Sequence, residues 1–176
     1  AKEEGDSVAL RHCFSKNAKN NGLINAIDSV AYAAAKKDTR RFLCGINLKA
    51  KDGVVKVCAT DGHRLAERTL SNVPMLSDFN VTLHNSITNL LLRQAKKASI
   101  DLVVYANGIV VIDYDTTKII VDTSEIGNFP DVERVKHHLQ IARQFMQINK
   151  QEALSVIDLL LINSKSKFAG ARLDAD

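Results

Sequence analysis

Between Val8 and Thr123 one order of elements is written twice, strand, helix and then three strands, at a spacing of roughly seventy residues. Neither copy can bury its own apolar faces. A lone amphipathic helix over a half-apolar sheet needs a second layer of the same kind. Two copies therefore predict an α+β fold in which two strand-helix-three-strand units pair, with helices on one face of antiparallel sheets.

The first copy opens with a strand over 8–14. From Lys19 to Lys37 the residues Leu23, Ile27, Val30, Ala31 and Ala34 recur at helical spacing and predict a helix with one apolar face. Strands are predicted over 41–50, 54–60 and 64–70, joined by Lys51-Asp52-Gly53 and Asp61-Gly62-His63, both good turn chemistry. In the second copy Phe79, Val81 and Leu83 alternate with polar neighbours. Asn85 or Ser86 is the expected cap of a helix running to Ala98, with Ile87, Leu90, Leu91 and Ala95 inward. Strands over 100–106, 109–114 and 118–123 follow, the first pair joined through Asn107-Gly108.

A third copy begins with alternation over 141–148, helical spacing over 150–163 (Ala153, Val156, Ile157, Leu160, Leu161) and a strand opening at 168–173, before the chain stops at Asp176. The predicted organisation is one complete domain over 1–135 and a partial second over 136–176. The truncated third unit lacks sheet partners, so it is expected to dock on the first domain, dock on another chain, or stay loose.

Composition narrows the class. The 176 residues are 45% hydrophobic and 25% charged, an ordinary soluble balance, with a formal charge of +4. That charge permits nucleic-acid binding without arguing for it, so placement matters more. Apolar runs such as 30–35 and 159–162 are too short to span a bilayer. The opening Ala1-Lys2-Glu3-Glu4-Gly5-Asp6 is polar, with no basic-then-apolar leader, and a cytoplasmic protein without a membrane partner is expected. Cys13, Cys44 and Cys58 form no C-x-x-C pair and are odd in number, which predicts reduced buried thiols rather than a disulfide framework or a zinc site.

Two blocks carry the functional signal. Ala59-Thr60-Asp61-Gly62-His63-Arg64-Leu65-Ala66 reads as two strands around a tight Asp-Gly turn. Phe129-Pro130-Asp131-Val132-Glu133-Arg134-Val135 reads as a proline-stiffened loop ending on a basic and an apolar side chain. Together they resemble the two walls of the peptide-binding groove in the bacterial sliding-clamp family, the DNA polymerase III beta subunits. The resemblance runs from about Gly22 to Leu173. Residues 23–45 look like the first helix and DNA-facing loop of that family's middle domain, and 167–173 look like the early third domain.

The resemblance implies a non-catalytic accessory of DNA replication, without cofactor or metal. Family members confer processivity by encircling DNA and tethering polymerase. By position, the partner pocket falls on Leu43, Thr60, Gly62, His63, Arg64, Leu65, Pro130, Arg134 and Val135. Leu43, Leu65, Pro130 and Val135 would make an apolar slot, and Arg64 and Arg134 would supply hydrogen bonds at its rim. The implied partners are DNA polymerase subunits and clamp-loader-type proteins, which insert a short linear peptide with a glutamine and bulky apolar side chains. With part of the third-domain wall missing, weaker binding is expected. DNA contact is implied at Lys36, Lys37, Arg40 and Arg41, read as a helix C-terminus and the loop after it, and at Lys96 and Lys97. Arg41 stands where the family pattern has an aromatic, which exchanges stacking for charge. An oligomer stays open, but a closed dimeric ring is not expected from this length.

Plainer readings stand beside these. Asp61 and His63 suggest an acid–base pair or a metal site, yet a turn aspartate and a surface histidine explain them equally. His137-His138 reads either as a ligand pair or as solvated linker residues. Lys36 to Arg41 reads also as a solvated helix end, and Leu65, Pro130 and Val135 as plain packing. The rival functions are an interaction module or clamp competitor without DNA binding, and a nucleic-acid enzyme.

Overall fold

The computed structural model describes residues 7–14, 22–139 and 147–163. Strand β1 (Val8–Phe14) and helix α1 (Gly22–Ala31) lead to a 3-10 turn at Arg41–Cys44 and strands β2 (Gly45–Lys51), β3 (Val54–Thr60) and β4 (Leu65–Ser71). Next come β5 (Phe79–His84), α2 (Asn85–Ala95), β6 (Ile100–Tyr105), β7 (Ile109–Tyr114) and β8 (Thr117–Asp122). A 3-10 turn at Ser124–Ile126 precedes α3 (Val132–Leu139) and α4 (Lys150–Asn163).

Two four-stranded antiparallel sheets form, in the orders β4-β3-β2-β5 and β1-β6-β7-β8. The predicted α+β repeat is thus present, with one topological addition. The opening strand of each repeat leaves its own unit: β1 pairs with β6, and β5 pairs with β2. A register shift between Val8 and Leu10 places both Ala9 and Leu10 in the core, as a bulge allows, and Ala9 O accepts from Leu76 N at 2.7 Å. One core results, drawing Ile46, Leu48, Val55 and Val57 from one sheet, Ile100, Leu102, Val110 and Ile112 from the other, and Leu23, Ile27 and Leu91 from the helices.

The β2–β5 seam is unusually close. An ideal Cβ on Gly45 would lie 2.7 Å from Leu83 O. Further along, the Nδ2 of buried Asn47 donates to Asn80 Oδ1 (2.8 Å), Val81 O (3.2 Å) and Thr82 Oγ1 (3.1 Å), which pins the same seam with side chains.

Several local expectations change. The first helix ends at Ala31, short of the predicted Lys37, because Ala33 N→Val30 O and Ala34 N→Ala31 O tighten the chain into turns. Arg41 to Cys44 form the 3-10 turn instead of opening a strand. The cap of α2 is His84, whose Nδ1 accepts from Ser86 N, rather than Asn85 or Ser86. Residues 132–135 begin a helix where a loop was expected; Asp131 Oδ1 accepts from Glu133 N, so a capping aspartate after Pro130 starts α3. His137 and His138 therefore lie on a helix, not a linker. Cys44 and Cys58 are buried as expected, but Cys13 is exposed.

The chain divides into two compact units that part after Pro130. In the second, α4 exposes Leu154, Val156, Ile157, Leu159, Leu160 and Ile162. The strand expected over 141–148 falls mostly outside the described residues, with 147 and 148 irregular, and the one over 168–173 lies wholly outside them. No helix among the described residues is long and apolar enough to cross a membrane.

Candidate peptide groove and basic loop

The Asp61–Arg64 turn is built by its own side chains. Asp61 Oδ1 accepts from His63 N and Arg64 N, both at 3.0 Å, and Asp61 Oδ2 accepts from Arg64 Nε at 2.9 Å. Thr60 Oγ1 donates to Arg64 O at 2.7 Å and accepts from Gly62 N at 3.1 Å. Gly62 has φ +90, a conformation that a side chain would strain. The Arg64 guanidinium also lies 5.8 Å from the ring centroid of Tyr32, which is 66% exposed. Arg64 is thus held by a carboxylate and an aromatic face before any guest arrives.

Asp61 has a structural task. The N–H groups of His63 and Arg64 hold its carboxyl below the ordinary value of 3.8. A carboxylate depressed on folding stabilises the turn fully above that ordinary value, and the contribution is lost as pH falls through the lower folded value. NMR titration of the His63 and Arg64 amides should therefore show a midpoint below 3.8, absent in Asp61→Asn.

The cations at 36–41 sit on a closed loop, not on a helix end. Ala35 N→Leu43 O at 2.9 Å closes its neck, and Asn85 Nδ2 binds Ala35 O at 2.8 Å. Within it, Asp38 takes Arg40 N at 2.8 Å and Arg40 Nε at 3.1 Å, and this side-chain bond holds the Asp38 carboxyl low. Because α1 ends at Ala31, the helix-dipole reading of Lys36 and Lys37 is overturned. Lys36, Lys37, Arg40 and Arg41 are all exposed, but Arg40 is ion-paired to Asp38. Helix α2 ends at Ala95, short of the expected Ala98, so Lys96 is its C-cap and Lys97 follows, both exposed.

This loop lies beside the Asp61–Arg64 turn and beside Gly127, two residues before the second block. A Cβ on Gly62 would stand 3.6 Å from Arg40 Nη2, and a Cβ on Gly127 would stand 3.6 Å from Phe42 Cδ1. The Asp61–Arg64 turn and the segment leading to Pro130 thus flank one short stretch, Arg40 to Phe42. Leu65 and Thr60 are half-buried, Gly62, His63, Arg64 and Pro130 exposed. Leu43 is 2% exposed, packed with Ala35 and Cys44, and so supports the surface from beneath. Arg134 and Val135 lie in the second unit, exposed on α3. Sequence reading missed Tyr32, Asp38 and Asn85; only the Asp-x-Arg spacing at 38–40 hinted at any of them.

A profile of the DNA polymerase III beta subunit, central domain, matches residues 17–131, most of the chain. The chain belongs to the DNA polymerase III beta subunit family. A beta sliding clamp of Pseudomonas aeruginosa is 28% identical over 152 residues, which cover 84% of this chain and 40% of that protein. A beta sliding clamp of Haemophilus influenzae is 35% identical over 63 residues, 36% of this chain and 17% of the relative. The chain therefore spans less than half the length of these curated relatives. The fold agrees with a Caulobacter crescentus beta sliding clamp at TM-score 0.72 and 23% identity, covering 92% of this chain and 43% of that one. A Bacillus subtilis sliding clamp gives TM-score 0.70 at 21% identity, covering 93% and 41%. This beta-subunit relative thus carries the clamp fold.

Proposed function

We propose that this chain is a sliding-clamp-type accessory of DNA replication that holds linear peptides of polymerase subunits and clamp-loader-type proteins and performs no catalysis. The observation that supports this most is the preset Arg64, fixed by Asp61 and Tyr32 beside half-buried Leu65. Asp61, which an enzyme reading needs as a free acid or base, is engaged by the turn. The groove takes Leu65 and Pro130 for its apolar wall and Arg64 for its rim, while Arg134 and Val135, expected in it from the sequence, belong to the second unit. Helix α4 (Lys150–Asn163) is assigned to the start of a further clamp-like unit, the one expected from the sequence over 136–176. The 92% coverage by the Caulobacter fold, which reaches past the first unit, supports that assignment.

A labelled peptide with a glutamine and bulky apolar residues tests the groove. Saturable fluorescence anisotropy is expected, and Arg64→Ala or Leu65→Ala should weaken it about tenfold or more. No binding at high micromolar protein removes the groove function.

The exposed Lys36, Lys37, Arg41, Lys96 and Lys97 suit phosphate contact without sequence preference. Arg40 adds less, because Asp38 balances its charge. Duplex affinity should fall steeply with salt, and Lys37→Ala/Arg41→Ala should flatten the log–log slope by about two. A slope unchanged by both substitutions removes the basic loop from DNA contact, and no salt-sensitive duplex binding at all leaves an interaction module without DNA binding.

A further inference from the structure

We propose that a polar cleft beside the basic loop is a seat for one unstacked, uncharged nucleobase of single-stranded DNA. The source of the base rests on the nucleic-acid part of the function proposed above, whereas the cleft itself can be tested apart from it. The cleft holds about 180 Å³, room for one heterocycle, between the outer face of β5, the β6–β7 turn and the loop after β8. Its walls include Asn80, Thr82, Asn107, Thr123, Asn128 and Phe129, and no ionisable side chain lines it. Such a lining does not select a phosphate or a cation. It selects a neutral group rich in hydrogen-bonding atoms.

The polar atoms are arranged as both donors and acceptors. Asn80 Oδ1 is taken by Asn47 Nδ2, which fixes that amide and leaves the Asn80 Nδ2 without a bond among the described residues. Thr82 Oγ1 also accepts from Asn47, so its own proton remains to be donated. Thr123 Oγ1 donates to Gly108 O at 2.8 Å and keeps lone pairs to accept. The edge of a free base needs this mixture, and unstacked bases are read by amides and hydroxyls with a ring against one face. Phe129, half-buried, is the one aromatic residue of this lining. Gly127 ties the cleft to the basic loop: it lines the cleft and faces Phe42, the neighbour of Arg41. Phosphates can follow the exposed cations while a base enters the uncharged cleft.

The experiment titrates the full chain with uncharged thymidine and adenosine while recording side-chain amide resonances, then compares an oligodeoxythymidine with an abasic strand of equal length. Saturable shifts at Asn80 and Asn128 are expected, weakened about tenfold by Phe129→Leu. Exposed Asn128→Ala serves as the variant that leaves the fold intact and should also weaken them. The base-bearing strand should bind tighter, and Asn128→Ala should erase that advantage while Lys37→Ala/Arg41→Ala weakens both strands alike. Nucleoside shifts without any strand binding would uphold the cleft and reject the DNA role. Shifts that never saturate, or base-bearing and abasic strands bound equally, would overturn the proposal.

Discussion

Gly45→Ala is expected to cost about 2–3 kcal/mol, among the largest effects of any single methyl group in this chain. The cause is purely steric. Gly45 sits at φ −150, extended backbone open to any residue, so conformational freedom is not the issue. Its added Cβ would meet Leu83 O at 2.7 Å and Thr82 Cγ2 at 2.9 Å, across the register pair Gly45–His84. A backbone carbonyl inside a sheet cannot swing away as a side-chain tip can. The seam must open, and with it the Asn47 bonds and the anchorage of the basic loop two residues upstream. Thermal unfolding should show a midpoint lowered by roughly 5–10 °C. Gly53→Ala is the control with the opposite cause, a φ of +79 with no atom within 4 Å, and should cost about 1 kcal/mol. A Gly45→Ala protein as stable as its parent would contradict the observed β2–β5 spacing.

Cutting the chain between Pro74 and Met75 should abolish cooperative folding in both fragments, and mixing them should restore it. The first fragment retains β1 without β6, and the second retains β5 without β2, so each loses an edge pairing that crosses the cut. Leu10, Leu48, Leu102 and Ile112, each 0% exposed in the intact chain, would face solvent in the separated halves. Urea unfolding followed by circular dichroism should give shallow, non-cooperative curves for each half. An equimolar mixture should unfold with a sharp transition whose midpoint rises with concentration. A second fragment that unfolds cooperatively alone would show that the repeats are independent units joined by a tether.

These two results separate what is local in the chain from what is not. Val54–Thr60, Ile109–Tyr114 and Lys150–Asn163 adopt the elements that their side-chain periods specify, because alternation and helical spacing act over a few residues. The Asp61-Gly62 turn was legible for the same reason, since its aspartate bonds reach only two or three residues along. The helix from Val132 was obscured by Pro130, which stiffens a loop and also precedes a capped helix start equally well. The site divides similarly. Arg64 and Leu65 were visible as a block, while the grip of Tyr32 on Arg64 was not, because it joins the residue after α1 to a turn far along the chain.

By itself the sequence determined the twofold order of elements, the turns between their strands and the family blocks at 59–66 and 129–135, all consequences of side-chain chemistry acting on near neighbours. Only the tertiary structure decided that β1 and β5 exchange sheets and that the loop carrying the cations is braced by Asn85 from the start of α2. Those outcomes depend on which sheet edges stay open once the local hairpins close and on how closely the backbones then approach, as at Gly45 and Leu83, and no window of sequence contains both partners of such a contact.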